Sequence, residues 1–380
     1  MFLTRREFGS GLLACAASAA PASGQASAQA SAQASVVLAL ATDGAAWDSL
    51  TVSCPRVLRV GPRDYRMWYY GRDAAFDPLI RLPSGRIGLA RSRDGIRWRR
   101  VRGPATRGAV MDPSDDPARF DSTHVGVGDV QRDGDGYEMW YFGGDHAEME
   151  IAGQRMRGFP LRIGRARSRD GMHWQRVDGP ARGAVLDVGP PGAPDAGSVG
   201  WPQVVRLRAD LWRMYYHTVG REIGFAICAA ESTDQGRSWT RLGVLLGRGS
   251  PGAFDVRGAS TRQVLQHGNR YLMFYEGWGG DGRPSIGLAE SVDGLEWRRT
   301  PGPLPDGAVL APPPTASGAW DCGAIGTPWV VDMGGGRHHM YYVGREVPRP
   351  GHDENDARYQ IGLAVSDDPQ LLQWRRWSVV

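Results

Sequence analysis

The sequence predicts an all-β fold: a five-bladed β-propeller with four antiparallel strands per blade. Two observations carry this. One strand–strand–turn unit recurs five times, and the last copy lacks a final segment that the start of the mature chain can supply. Composition agrees, since 53 glycines and 26 prolines suit many turns, while 41% hydrophobic and 23% charged residues allow a sizeable core. The propeller is expected to occupy residues 35–380 as one domain, behind a leader at 1–34.

The most regular element is an aromatic strand. It reads Met67-Trp68-Tyr69-Tyr70, Met139-Trp140-Tyr141-Phe142, Met214-Tyr215-Tyr216-His217, Met273-Phe274-Tyr275-Glu276 and Met340-Tyr341-Tyr342-Val343. After each comes a strand of the form Ile87-Gly88-Leu89-Ala90, repeated from Ile163, Ile223, Ile286 and Ile361. A turn then leads to tryptophan at Trp98, Trp174, Trp239, Trp297 and Trp374. The third turn, Ser232-x-Asp234-x-Gly236-x-x-Trp239, resembles the Asp box of sialidase-type propellers, and the others are variants of it. An aspartate there can accept backbone N–H groups, glycine permits positive φ and tryptophan packs over the hairpin. Asp94, Asp170, Asp234, Asp293 and Asp368 are therefore read as structural.

Ahead of each aromatic strand lies a strand that starts near Pro55, Gly128, Pro202, Arg262 or Pro328. Seven residues before these stand Asp48, Asp121, Asp195, Asp255 and Asp321, spaced about 68 residues apart on average. Five copies point to a structural role, the capping of loops between blades. Copies end with segments such as Gly108-Ala109-Val110-Met111, but the fifth stops at Trp377-Ser378-Val379-Val380. Val36-Val37-Leu38 is expected to complete that last blade, which removes an open sheet edge.

The leader carries Thr4-Arg5-Arg6-Glu7-Phe8, a twin-arginine export signal, then an apolar run at 11–20 and a low-complexity stretch at 25–34. The protein is expected in the periplasm or outside the cell, with a lipid anchor at Cys15 as a minor option. No later segment approaches the ~20 apolar residues of a membrane span. All 45 basic residues are arginine, yet the net charge is only +4 and the arginines interleave with carboxylates. Nucleic acid as a partner is thus excluded. Cys54 and Cys322 are left open as a pair or as free thiols, and no spacing resembles a zinc site. No metal or other cofactor is expected, and the chain is read as a monomer.

Let strands A to D run from the centre of a blade outward. One mouth of the channel then collects the starts of the A strands and the ends of the B strands. Residues that break the repeat at this mouth are the candidate site. His217 and Glu276 replace aromatics at the end of strand B, as catalytic candidates or as a mutual ion pair. After the proline position stand Arg56, Asp129, Gln203, Gln263 and Trp329, of which only Asp129 is a carboxylate. Asp129 is a catalytic candidate, or a group that bonds backbone amides. His124, Trp201, Arg262 and Trp329 share the rim as candidate substrate-binding residues. The acidic loop holding Asp145, His146, Glu148 and Glu150 reads as solvated.

With these residues in place, the ring resembles the five-bladed glycosidase superfamily of arabinanases, β-xylosidases, levansucrases and invertases. In the arabinanase-like branch, the resemblance implies a base before the first-blade proline, a second aspartate tuning the acid, and a blade-three glutamate as general acid. Gly128-Asp129-Val130 matches the second element, whereas Cys54 and Gly200 occupy the other two positions. The reading is an exported glycoside hydrolase-like enzyme acting on a glycan or small-molecule substrate, with Glu276 as acid and Asp129 or His217 as its partner. The alternatives are a noncatalytic glycan- or ligand-binding propeller, and a propeller recruited to lyase or metal-assisted chemistry through His124, His146 and His217.

Overall fold

The computed structural model describes residues 35–77, 82–151, 154–220, 223–347 and 358–378, so the leader expected at 1–34 lies outside the described residues. The first repeat holds β1 (Val36–Leu38), β2 (Thr51–Gly61), β3 (Asp64–Asp77), β4 (Leu82–Ser92) and β5 (Arg99–Val101). The second holds β6 (His124–Asp133), β7 (Gly136–Gly144), β8 (Glu148–Ile151), β9 (Gln154–Arg157), β10 (Arg162–Ser168) and β11 (Gln175–Val177). Then come β12 (Gly200–Arg208), β13 (Leu211–Gly220), β14 (Gly224–Ser232) and β15 (Thr240–Leu246). The fourth repeat has β16 (Ala259–His267), β17 (Arg270–Trp278), β18 (Pro284–Ser291) and β19 (Arg298–Thr300). The fifth has β20 (Ala324–Gly334), β21 (Arg337–Arg345), β22 (Tyr359–Ser366) and β23 (Arg375–Arg376). Among the described residues there is no α-helix, only two short 3-10 turns.

Repeats two, three and four each form a four-stranded antiparallel sheet. Repeats one and five join in a nine-stranded mixed sheet through one parallel pair, Thr51 with Tyr359. The segment expected to complete the fifth repeat does pair there, Leu38 lying opposite Ile361. It thereby repeats the pairings Ile87–Met111, Ile163–Leu186, Ile227–Leu246 and Ile286–Leu310 of the other four copies. The third copy of the isoleucine strand is therefore set by Ile227, which lies opposite His217, and not by Ile223 as the sequence pattern predicts.

Both aspartate series are structural, and the first does more than cap loops. Asp48 accepts the Tyr69 hydroxyl (2.9 Å) and Arg100 Nε (2.6 Å), so it clamps the second strand of its repeat to the fourth. Tyr141–Asp121–Arg176, Tyr216–Asp195–Arg241, Tyr275–Asp255–Arg299 and Tyr342–Asp321–Arg376 repeat the arrangement. All five aspartates are buried, where a charge must be paired to be tolerated. In the turn series, Asp94 accepts the N–H groups of Ile96 and Arg97, and Trp98 Nε1 bonds Gly95 O.

Neighbouring repeats pack through their first strands: β2 on β6, β6 on β12, β12 on β16, β16 on β20, and β20 on β2. The residue after the proline position makes each of these junctions. Arg56 Nε donates to Gly128 O, and Asp129 with Gln131 holds the N–H and C=O of Val204. Gln203 grips both backbone groups of Val264, Gln263 does the same to Val330, and Trp329 Nε1 donates to Val57 O at 2.9 Å. Gly128 belongs to this fit, because a Cβ there would stand 2.4 Å from Pro202 Cδ.

Candidate active site

Each first strand carries a β-bulge just before its junction residue. At three of the bulges, Cys54 (φ 51°), Trp201 (φ 49°) and Thr327 (φ 46°) sit in left-handed backbone directly before a proline. That conformation costs a non-glycine residue roughly 1–3 kcal/mol and is held by the surrounding sheet. These side chains, and that of Thr261, line a cavity of about 180 Å³ to which all five repeats contribute.

Glu276, on β17, is the one carboxylate among the described residues of that lining. Ser260 Oγ donates to its Oε1 at 2.9 Å, Thr261 Oγ1 to its Oε2 at 2.9 Å, and the Thr327 N–H to Oε2 at 3.1 Å. Burial raises its pKa against these three donors, which pull it down. The carboxyl lies so close to Gly326 that a Cβ there would stand 1.9 Å from Oε2. A side chain at that position would evict the acid.

His217, on β13, lines the same cavity at 4% exposure, and its Nδ1 has no partner among the described residues. Burial, then the nearby Arg262 charge, hold its pKa well below the usual imidazole value, so it is neutral at pH 7. No ion pair joins it to Glu276; each has its own surroundings. His217 stacks on Trp201 with ring centroids 4.4 Å apart, and Phe142 stacks on Trp201 at 4.2 Å. Trp201 thus lines the cavity with its ring stacked on both of these neighbours. Its Nε1 donates to Cys54 Sγ at 3.0 Å. Burial raises the Cys54 thiol pKa, and Cys54, Cys228 and Cys322 are all free and buried, so Cys54 and Cys322 do not pair. His124 also lines the cavity, with Nε2 2.8 Å from Gly158 O.

Three expected site residues do not line this cavity. Asp129 is buried as a junction group, where desolvation lifts its pKa to about 6. Arg262, 1% exposed, donates Nη2 to Trp201 O and Tyr215 O, and burial followed by repulsion from Arg56 pulls it down to about 9. Trp329 is a junction residue with the Arg56 guanidinium 4.7 Å from its ring centroid. For Asp129 and Trp329 the cause is shared: beyond the bulge, strand alternation aims the junction position at the next repeat instead of the opening. Arg262 stands one residue before its junction residue Gln263 and reaches back to the third repeat. Nor is the acidic loop wholly solvated, since Asp145 is buried against Arg162 and Arg182. Among the described residues no three His, Cys, Asp or Glu side chains are placed to hold a metal ion, so His124, His146 and His217 do not form a ligand set.

Strand alternation also marks residues that the repeat comparison overlooked. Arg72, Val219, Trp278 and Arg345 lie two residues beyond the strand-end position and line the cavity, as period-two reading requires. Trp278 Nε1 donates to Ser260 Oγ at 3.2 Å, which in turn bonds Glu276.

No known family profile matches the chain. The uncharacterized protein Rv1502 of Mycobacterium tuberculosis (strain ATCC 25618 / H37Rv) is 30% identical over 248 residues, 64% of this chain and 72% of that protein. Among solved structures, a thermostable family-43 glycoside hydrolase superposes with a TM-score of 0.60 at 15% identity, covering 86% of this chain and 93% of its own. The Bombyx mori GH32 beta-fructofuranosidase BmSUC1 gives 0.56 at 13% identity, over 90% and 65%. The chain has the fold of these propeller glycosidases.

Proposed function

The chain belongs to the same family as Rv1502, and we propose that it is an exported, carbohydrate-active enzyme whose acid–base chemistry runs through Glu276. The observation that carries this is Glu276 itself: a carboxyl raised by burial, fixed by three hydrogen bonds, in the cavity where all five repeats meet. A raised pKa favours the protonated form that a general acid needs to protonate a leaving oxygen. His217, neutral and with Nδ1 unpaired among the described residues, is the partner of Glu276, placed to accept a hydrogen bond from the attacking water or a sugar hydroxyl. Asp129 acts behind the cavity, through the backbone of the third repeat.

The reading includes a closed ring of five four-stranded blades over residues 35–380, working as a monomer. It is supported by the junction series, which runs from each repeat to the next and from Trp329 back to Val57. A single species of dimer mass in sedimentation would remove the monomer. Export rests on Thr4 to Phe8; normal export of a variant with both Arg5→Lys and Arg6→Lys would contradict it.

Turnover of a panel of glycosides by the wild type and by Glu276→Gln tests the enzyme. The expected loss is about a hundredfold or more, the scale of general acid assistance, with stability little changed. A noncatalytic glycan binder is the second reading, favoured by the single carboxylate in the described lining and by Cys54 and Gly200 where the family resemblance implies two more. Tight binding of a glycoside recovered unchanged after long incubation would favour it.

A further inference from the structure

The cavity has two polar chemistries and one apolar wall. The ends of the second strands present two layers toward it, two residues apart and hence roughly 6–7 Å along the strand. The inner layer holds His217 and Glu276, and the outer layer continues with Val219 on β13 and Trp278 on β17, and with Arg72 on β3 and Arg345 on β21 across the cavity. Phe159 and Leu161, just before β10, and Pro284, which opens β18, extend Val219 and Trp278 into an apolar crescent over repeats two to four. The crescent is held in place. Leu161 O accepts the Val199 N–H at 3.0 Å, and Leu161 Cδ1 lies 3.2 Å from where a Cβ on Gly200 would stand. Trp278 is pinned by its bond to Ser260 and by stacking on Phe225 at 4.9 Å.

Beside the crescent, His217 Nδ1 is buried without a partner among the described residues, an unfavourable state for a polar atom. A ligand hydroxyl can satisfy it, while an apolar surface of this kind is best covered by an apolar group. Both demands fall within one small cavity, so one molecule must meet them together.

We propose that the site takes glycosides whose aglycone is apolar, an aryl or alkyl group, with the sugar hydroxyls against His217 and Glu276 and the aglycone on the crescent. This rests on the carbohydrate reading of the same cavity. The outer layer is apolar at Val219 and Trp278, on the side of the crescent, and polar at Arg72 and Arg345 on the first and fifth repeats, so the aglycone is assigned to the former side.

The test is calorimetric titration of the full chain with matched methyl and 4-nitrophenyl glycosides of common pentoses and hexoses, and with 4-nitrophenol alone. For any sugar that binds, the aryl glycoside should bind about tenfold tighter than its methyl partner, the scale of burying one ring face. Val219→Asn should shrink that ratio to about threefold or less while leaving the methyl Kd unchanged. Phe159→Ser, at a half-buried position, checks the same point should the first variant fold poorly. Equal Kd values within every matched pair overturn the aglycone site and leave the carbohydrate reading standing. If 4-nitrophenol alone binds as tightly as its glycosides, the carbohydrate reading falls and the proposal with it. No binding by any probe overturns both.

Discussion

Two positions on the same five strands have been put to opposite uses. At the junction position, Arg56, Asp129, Gln203, Gln263 and Trp329 differ in charge, size and shape, yet each reaches the backbone of the neighbouring repeat. Two residues earlier, Cys54, Trp201, Thr261 and Thr327 face the cavity, three of them in strained backbone. The junction tolerates varied chemistry because its target is a peptide group, the same in every repeat. The bulge brings its residue to the cavity, so that residue can be chosen for what it does there. A residue that breaks a repeat is therefore not by that fact a site residue; the direction of its side chain decides.

Breaking a junction should have the largest effect on stability. Gln263→Leu leaves the Val330 N–H and C=O buried and unpaired, at about 1–3 kcal/mol for each group. Urea denaturation should show a loss of roughly 2–6 kcal/mol, with the cavity chemistry of the folded fraction intact. A loss below about 0.5 kcal/mol, the range of ordinary surface changes, would mean that this contact holds nothing together.

Asp129 gives a smaller and more specific signal. Its folded pKa of about 6 lies above the ordinary carboxyl value of 3.8, so the folded chain binds more protons between these two values. Stability contributed by Asp129 is therefore full below pH 4, falls as pH rises to about 6, and is level beyond. Asp129→Asn keeps an acceptor for the Val204 N–H and removes that fall. The difference in unfolding free energy between wild type and variant should change by roughly 2–3 kcal/mol from pH 4 to pH 7. A pH-independent difference would show that the carboxyl is not buried as described.

The repeats were legible in the sequence because their signals are local: an aromatic strand, an Asp-box turn and an aspartate at fixed distance each sit within one copy. The Leu38 pairing was legible for the same reason, as a missing fifth copy of a segment seen elsewhere. Glu276 and His217 could be placed in the cavity because strand-end position and strand period fix their direction. Asp129 and Trp329 were misread because a one-residue bulge, invisible in composition, rotates the junction residue toward the next repeat, and Arg262, one residue before its junction, reaches back to the third repeat. The junction series itself was hidden, since nothing in the side chains of Arg56, Gln263 and Trp329 announces a common task. Val219 and Trp278 were within reach, two residues past positions already noted, but looking for polar breaks passes over apolar ones.

The central claim is that chemistry resides at Glu276 and not at Asp129. Turnover of one glycoside substrate by Glu276→Gln and Asp129→Asn, measured side by side at a pH where both variants are folded, tests it directly. The account predicts that Glu276→Gln loses about a hundredfold or more while Asp129→Asn stays within a fewfold of wild type. Full turnover in Glu276→Gln together with a collapse in Asp129→Asn would contradict it.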